Sequence, residues 1–258
     1  IKKDGYDLKT GEVIDRDKIV PCVIFIDEIH NLKKKTMEML HTVLENNTIT
    51  IKRKNYIFGN MEPTVCWVPE FCLIGATNYL GILPKPFRDR FRMNFVFESY
   101  NDSEIVMILS NQCIKTGTKI SKDGLLEIAK KSRGVPRIAL AFLEKAIDVS
   151  IANGTYSEKE VSLDDIKYMF SCDDIDDLGL TRADRKVLKY LTIGSRPVGL
   201  KSLAQAIDED ISTLETVIEP YLVRLGLIIR TGNGRYLTDK GKAHINSERR
   251  LNLYPVER

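Results

Sequence analysis

The chain has 258 residues, with 39 lysines and arginines against 36 aspartates and glutamates, a formal net charge of +3. Its 43% hydrophobic and 29% charged residues exclude a disordered or collagen-like polymer and leave apolar surface for two or three small cores. No uninterrupted apolar run approaches the roughly 18–20 residues that a membrane span requires.

The sequence opens Ile1-Lys2-Lys3-Asp4, with neither an initiator methionine nor a signal-peptide pattern, which points to a fragment lacking its natural start. Residues 1–98 alternate short apolar runs with turn residues, the pattern of strands interleaved with helix. The run Cys22-Val23-Ile24-Phe25-Ile26 is apolar throughout, as a strand buried on both faces requires. It ends in two carboxylates, Asp27 and Glu28, at the edge where open α/β sheets bind ligands. One can hold Mg²⁺ directly or through water, and its neighbour can polarise a water toward a phosphate. An ordinary Asp-Glu turn after a core strand explains the same residues.

Between Asn47 and Val68, Thr48-Ile49-Thr50-Ile51 alternates before the basic cluster Lys52-Arg53-Lys54 and the segment Tyr56-Ile57-Phe58-Gly59-Asn60. Alternation followed by a turn predicts a β-hairpin. The lysines suit either a contact surface or a charged, protected edge. The next strand, Phe71-Cys72-Leu73-Ile74-Gly75, leads to Ala76-Thr77-Asn78, and the Asn78 amide can orient a water or a terminal phosphate. Then Pro86-Phe87-Arg88-Asp89-Arg90-Phe91 sets two arginines around an aspartate. One can be held by Asp89 while the other projects to stabilise charge on a transferring phosphate, within this chain or from a neighbouring subunit.

Residues 100–170 have helical periodicity. Asn101 or Asp102, Ser121 and Ser162 are candidate N-caps, and Pro136 is suited to a first helical turn. In Gly134-Val135-Pro136-Arg137, Arg137 therefore sits at a helix N-terminus, where a cation opposes the dipole unless an anion lies nearby. The acidic run Asp173-Asp174-Ile175-Asp176-Asp177 reads as a linker or inter-domain turn. Beyond it, Thr181 and Asp184 form a capping-box pattern, helices are expected over 200–207 and 211–225, and residues 227–237 form a hairpin around Thr231-Gly232-Asn233-Gly234. Three helices and a hairpin are the element order of a winged helix.

The five cysteines, Cys22, Cys66, Cys72, Cys113 and Cys172, include no Cys-x-x-Cys pair, and His30, His41 and His244 are too scattered to complete a zinc site with them. The cysteines read as buried thiols of a reducing compartment.

Taken together, Ile24-Phe25-Ile26-Asp27-Glu28-Ile29-His30-Asn31-Leu32, Leu73-Ile74-Gly75-Ala76-Thr77, Pro86-Phe87-Arg88-Asp89-Arg90-Phe91 and Gly134-Val135-Pro136-Arg137-Ile138-Ala139 resemble, in order and spacing, the AAA+ ATPase family. Within it they resemble the Holliday-junction branch-migration motors, and Pro197-Val198-Gly199-Leu200 and Glu219-Pro220-Tyr221-Leu222 extend the likeness. The resemblance implies an α/β plus α fold: a partial P-loop-type parallel sheet core over residues 1–98, a helical lid over 99–172 and a winged helix over 173–258. It implies ATP and Mg²⁺ as cofactors. Asp27 and Glu28 match the Walker B pair, for the metal and the attacking water. Asn78 matches sensor 1, Arg90 the arginine finger with Arg88 as runner-up, and Arg137 sensor 2. It further implies a cytoplasmic homo-hexamer working in DNA recombination and repair, with double-stranded DNA at four-way junctions and a RuvA-like junction-binding protein as partners and no membrane.

Two departures stand out. Where these motors carry Thr-Thr-Arg after Gly-Ala, this chain has Thr77-Asn78-Tyr79. No Gly-x-x-x-x-Gly-Lys-Ser/Thr occurs, since Gly241-Lys242-Ala243 lacks both the earlier glycine and the hydroxyl residue. From Leu178 onward there are 14 lysines and arginines against 9 acidic residues, a surplus of five. Arg182 and Arg185, with Lys186 and Lys189, fall on one predicted helix, and Arg230 and Arg235 flank the hairpin turn. These are candidate phosphate contacts on DNA. Two other readings stay open: a non-catalytic relative serving as a DNA-binding or assembly module, and a clamp-loader-like AAA+ subunit.

Overall fold

The computed structural model describes residues 5–6, 13–14, 22–54, 61–194 and 196–253, and the chain divides into two compact units, residues 1–96 and 97–258. In the first unit, β1 (Gly5–Tyr6) pairs antiparallel with β2 (Val13–Ile14). The strand β3 (Cys22–Ile26) leads through a single 3-10 turn to helix α1 (Lys34–Asn46). Strands β4 (Thr48–Lys54) and β5 (Met61–Trp67) form the expected hairpin, in register from Thr48↔Trp67 to Lys54↔Met61. The expected turn over Tyr56 to Asn60 lies outside the described residues. Strand β6 (Phe71–Gly75) and the short helix α2 (Lys85–Arg88) follow.

β3 and β6 run parallel, from Cys22↔Phe71 to Ile26↔Gly75. A parallel pair needs a long crossover, and residues 27–70 supply it. The core of this unit, Ile29, Met37, Leu83 and Phe87 with Ile26, Leu40 and Phe91 against it, gathers at the carboxyl end of the strands. The expectation that β3 is buried on both faces is corrected: Val23 is 65% and Phe25 62% exposed. Among the described residues β3 pairs only with β6, so the sheet is two strands wide and its middle has no cover. The same geometry corrects the cysteines, because Cys22, Cys72 and Cys172 are exposed and Cys113 alone is buried.

The second unit begins with four helices. Asn101 caps α3 (Asp102–Thr116) in a full capping box, accepting from the Glu104 N–H while Glu104 accepts from the Asn101 N–H. Strand β7 (Lys119–Ile120) precedes α4 (Lys122–Lys131), capped by Ser121, and Pro136 opens α5 (Pro136–Ala152). Strand β8 (Glu160–Val161) pairs with β7, and Ser162 caps α6 (Leu163–Cys172). Ile105, Leu109, Ile128, Leu143, Ile166, Met169 and Phe170 fill the space between them.

Beyond the acidic turn, α7 (Arg182–Leu191) starts at the Thr181 capping box, followed by α8 (Leu200–Ile207). The stretch expected as one helix over 211–225 is α9 (Ile211–Thr213), a π-helical turn over Leu214–Ile218, and α10 (Glu219–Arg224). Pro220 explains the interruption. It has no N–H to donate and its ring collides with the carbonyl four residues back, so the register widens and the Glu219 N–H reaches Leu214 O. Strands β9 (Ile228–Thr231) and β10 (Gly234–Leu237) form the wing around Gly232-Asn233, a bridge from Val198 to Arg235 extends it, and α11 (Asp239–Leu253) closes the unit. Among the described residues no helix is long and apolar enough to cross a membrane.

Asp165 ties the helical bundle together. Its carboxylate is buried and accepts from Ser150, Asn153, Thr155 and Ser162. Burial pushes its pKa up, and those four hydrogen bonds outweigh it and hold the group at about 2. The folded value lies below the unfolded one, so this stabilisation is present above about pH 4 and is lost as pH falls toward the folded value. It amounts to about 2 kcal/mol. Acid titration of the helical signal should show this loss between about pH 4 and pH 2, and Asp165→Ala should destabilise by about 2–4 kcal/mol near neutral pH.

Candidate functional site

The parallel register brings the ends of β3 and β6 to one edge. Backbone bonds continue past the strands, the Ala76 N–H to Ile26 O at 2.9 Å and the Ile29 N–H to Ala76 O at 3.0 Å. Asp27 and Glu28 are thereby fixed beside Thr77 and Asn78. Glu28 adopts left-handed backbone angles (φ 48°), uncommon for a residue with a Cβ, and its N–H donates to Asp27 Oδ1 at 3.0 Å. Both residues are exposed.

His30, set aside in the sequence, belongs here. Its Nδ1 lies 2.9 Å from Thr77 Oγ1 and 3.2 Å from Glu28 Oε2, and its ring meets Tyr79 edge-on at 5.0 Å. Thr77 Oγ1 also accepts from the Tyr79 N–H. Glu28 is therefore met by a histidine that Thr77 holds from the other strand end. The signal for His30 was its place two residues after Glu28, which a single 3-10 turn folds back. Asn78 is exposed and has no hydrogen-bond partner among the described residues. The exposed carboxylates of Asp27 and Glu28 and the Asn78 amide are hard oxygen donors of the kind that a water-ligated Mg²⁺ takes.

The two arginines behave otherwise than expected. Among the described residues Asp89 pairs with neither. Arg90 Nη2 bonds Glu45 Oε1 at 2.7 Å and its Nε bonds His41 Nε2 at 3.3 Å, both partners lying on α1. Arg88 Nε is buried without a hydrogen-bond partner, beside a cleft of about 460 Å³ lined by Lys85, Arg88 and Asn94.

In the second unit Arg137 is exposed at the second position of α5, with Val135 as a cap that offers no side-chain acceptor and no acidic residue in the first turn. The helix N-terminus and the cation thus present positive charge together. Its turn depends on Gly134 (φ +68°), where a Cβ would stand 2.5 Å from Tyr100 O.

Of the four candidate DNA contacts, two are corrected. Arg185 is buried, donating to Leu180 O and Asp174 O and pairing with the Asp174 carboxylate. It satisfies carbonyls of the acidic turn, which is a clamped corner instead of a loose linker. Arg235 is buried as well. It stands opposite Arg230 in the wing, and directly paired residues share a face of the sheet. Two like charges there need a counter-charge, and Glu219 supplies it: Arg235 binds Glu219 Oε2 at 2.9 and 3.1 Å, while Arg230 Nε stays 3.5 Å from Oε1 and remains 57% exposed. Arg182 is exposed, as are Lys186 and Lys189 on the same helix. Arg235→Ala should therefore cost about 3 kcal/mol by leaving Glu219 buried without its main partner, whereas Arg182→Ala should stay within about 0.5 kcal/mol of the parent in urea unfolding.

Comparison with known proteins follows the same division. The description "Holliday junction DNA helicase RuvB P-loop domain" matches residues 17–97, "RuvB AAA lid domain" matches 100–172 and "RuvB C-terminal winged helix domain" matches 177–246. The Holliday junction branch migration complex subunit RuvB of Campylobacter fetus is 39% identical over 221 residues, 84% of this chain and 62% of the relative. That of Prochlorococcus marinus is 37% identical over 229 residues, 87% and 63%. Among solved structures, the Thermotoga maritima RuvB Holliday junction branch migration motor is 32% identical, with a TM-score of 0.71 over 87% of this chain and 69% of that one. A variant of the same protein gives a TM-score of 0.73 at 31% identity, over 87% and 70%. The chain spans less than two thirds of the length of these curated relatives. With the AAA+ sheet edge, the helical lid and the winged helix all matched in order, the chain belongs to the RuvB family.

Proposed function

We propose that this chain is part of an ATP-driven motor that moves Holliday junctions, acting in the cytoplasm on double-stranded DNA during recombination and repair. The observation that carries the reading is the sheet edge where Asp27 and Glu28 stand beside Thr77 and Asn78, in a chain of the RuvB family. Asp27 would hold a Mg²⁺ ion, which would supply charge neutralisation for the phosphates of ATP. Glu28, steadied by His30, orients the attacking water and takes its proton on a carboxylate oxygen as the water oxygen bonds to the terminal phosphorus and the bond from that phosphorus to the leaving ADP oxygen breaks. Asn78 holds that water or the terminal phosphate by hydrogen bonds. Arg137 meets phosphate charge from the N-terminus of α5.

Arg90 acts as the arginine finger on a neighbouring subunit of a homo-hexamer, with Glu45 and His41 keeping it extended along α1 until a phosphate replaces them. Arg88 is second, favoured by its unpartnered Nε. On the DNA side, Arg182 and Arg230 contact phosphates without reading bases. The hairpin of β4 and β5, where Lys52 is exposed, meets either DNA or a RuvA-like junction-binding protein.

These 258 residues contain no Gly-x-x-x-x-Gly-Lys-Ser/Thr. By itself the polypeptide should bind ATP weakly and not turn it over, which calorimetric titration and phosphate release measure together. Micromolar binding with steady hydrolysis would contradict this. The chain should still bind four-way junctions at low salt. Replacing both Arg182 and Arg230 by alanine should weaken that binding about 10-fold and lower the salt slope by about two, one for each phosphate contact.

A further inference from the structure

The turn that carries Arg137 is bolted to the winged helix three residues upstream of Pro136. Arg133, itself left-handed (φ 59°), reaches across residues 173–181. Its guanidinium donates twice to Gly179 O, at 2.9 and 3.2 Å, and pairs with Asp184 Oδ2 at 2.5 Å. Asp184 is fully buried, and it is also the residue that completes the capping box of α7, the first helix of the winged helix. The Arg133 guanidinium lies 4.4 Å from the Tyr221 ring centre, and that of Arg224 lies 5.1 Å from it. Arg224 closes the loop from the other domain, donating to Arg133 O and to Ser99 Oγ. Tyr221 donates its hydroxyl to Leu178 O.

The acidic corner reinforces the junction. Lys145 and Lys131 of the helical bundle pair with Asp173 and Asp177. Arg185 and His244 of the winged helix pair with Asp174 and Asp176. Asp173 and Asp177 thus face partners in the helical bundle and Asp174 and Asp176 partners in the winged helix, and Lys131, Arg185 and the His244–Asp176 pair are largely buried, where such bonds are directional and weakly screened.

We propose that Arg133 is a positioning residue: through Asp184, Gly179 O and Tyr221 it fixes the winged helix to the turn bearing Arg137, so that displacement of that turn by a nucleotide phosphate is delivered to the DNA-binding domain as a rigid rotation. The rotation rests on the role given to Arg137 above. The rigid attachment does not, and it is measured without ATP or DNA. A guanidinium is required, because a lysine keeps the charge beside Asp184 but loses the two-pronged bond to Gly179 O and the flat contact with Tyr221.

The test is residual dipolar coupling of backbone amides in the full chain. In the parent, couplings of 102–172 and 182–247 should fit one alignment tensor. In Arg133→Lys combined with Arg224→Ala, each set should still fit its own domain, with the common tensor lost and the two magnitudes unequal. Arg133→Ala should show the same, and if it fails to fold the lysine variant carries the measurement. Two tensors already in the parent, or one common tensor retained in the folded double variant, overturns the proposal. If instead one tensor is found and ATP later proves irrelevant to Arg137, the attachment stands and the motor reading alone fails.

Discussion

Parallel pairing of β3 with β6 is the constraint on which the first unit depends. Strands that run the same way finish at the same edge, so residues 49 positions apart in sequence arrive side by side. The backbone bonds through Ala76 carry that pairing past the strand ends and set Asp27 and Glu28 against Thr77 and Asn78. An antiparallel pair would have sent the carboxylates and the amide to opposite ends. The chain turns left-handed at Glu28, and His30 returns to meet its carboxylate. Asp165 plays a comparable part in the helical bundle, where four donors converge on one buried carboxylate.

Charge in the second unit is used inward as much as outward. The surplus of basic residues after Leu178 reads as a DNA-facing surface, yet Arg185 and Arg235 are spent on buried partners. Each solves a local problem. Arg185 caps carbonyls of the corner at residues 174–180, and Arg235 neutralises Glu219 beneath the wing. Buried pairs of this kind are poor sources of net stability but costly to break from one side. They fix geometry and leave Arg182 and Arg230, with Lys186 and Lys189, exposed, which under the proposed function is the surface offered to a polyanion.

Much of the fold was legible because short-range chemistry dictated it. Asn101, Ser121, Ser162 and Thr181 cap where a small polar side chain meets the start of an apolar period, Pro136 opens α5, and Gly232-Asn233 turns the wing. The carboxylates, Asn78, Arg90 and Arg137 stand out in the sequence as motifs, and the roles given to them belong to the proposed function. What local pattern could not supply were partners distant in sequence. Arg235 is 16 positions from Glu219, His30 is 47 from Thr77, and Arg133 is 51 from Asp184. Nor could an apolar run reveal how many strands flank it, which is why β3 was expected to be buried on both faces.

Under the proposed function, activation of water by Glu28 at this sheet edge powers a motor that moves junctions. It is tested most directly by joining a Gly-x-x-x-x-Gly-Lys-Thr segment of the family to this chain and following ATP-driven branch migration of a labelled four-way junction beside Glu28→Gln. The parent should migrate the junction, and the Gln variant should bind ATP and junction equally well but not move it. A Gln variant that migrates at the parent rate would contradict it.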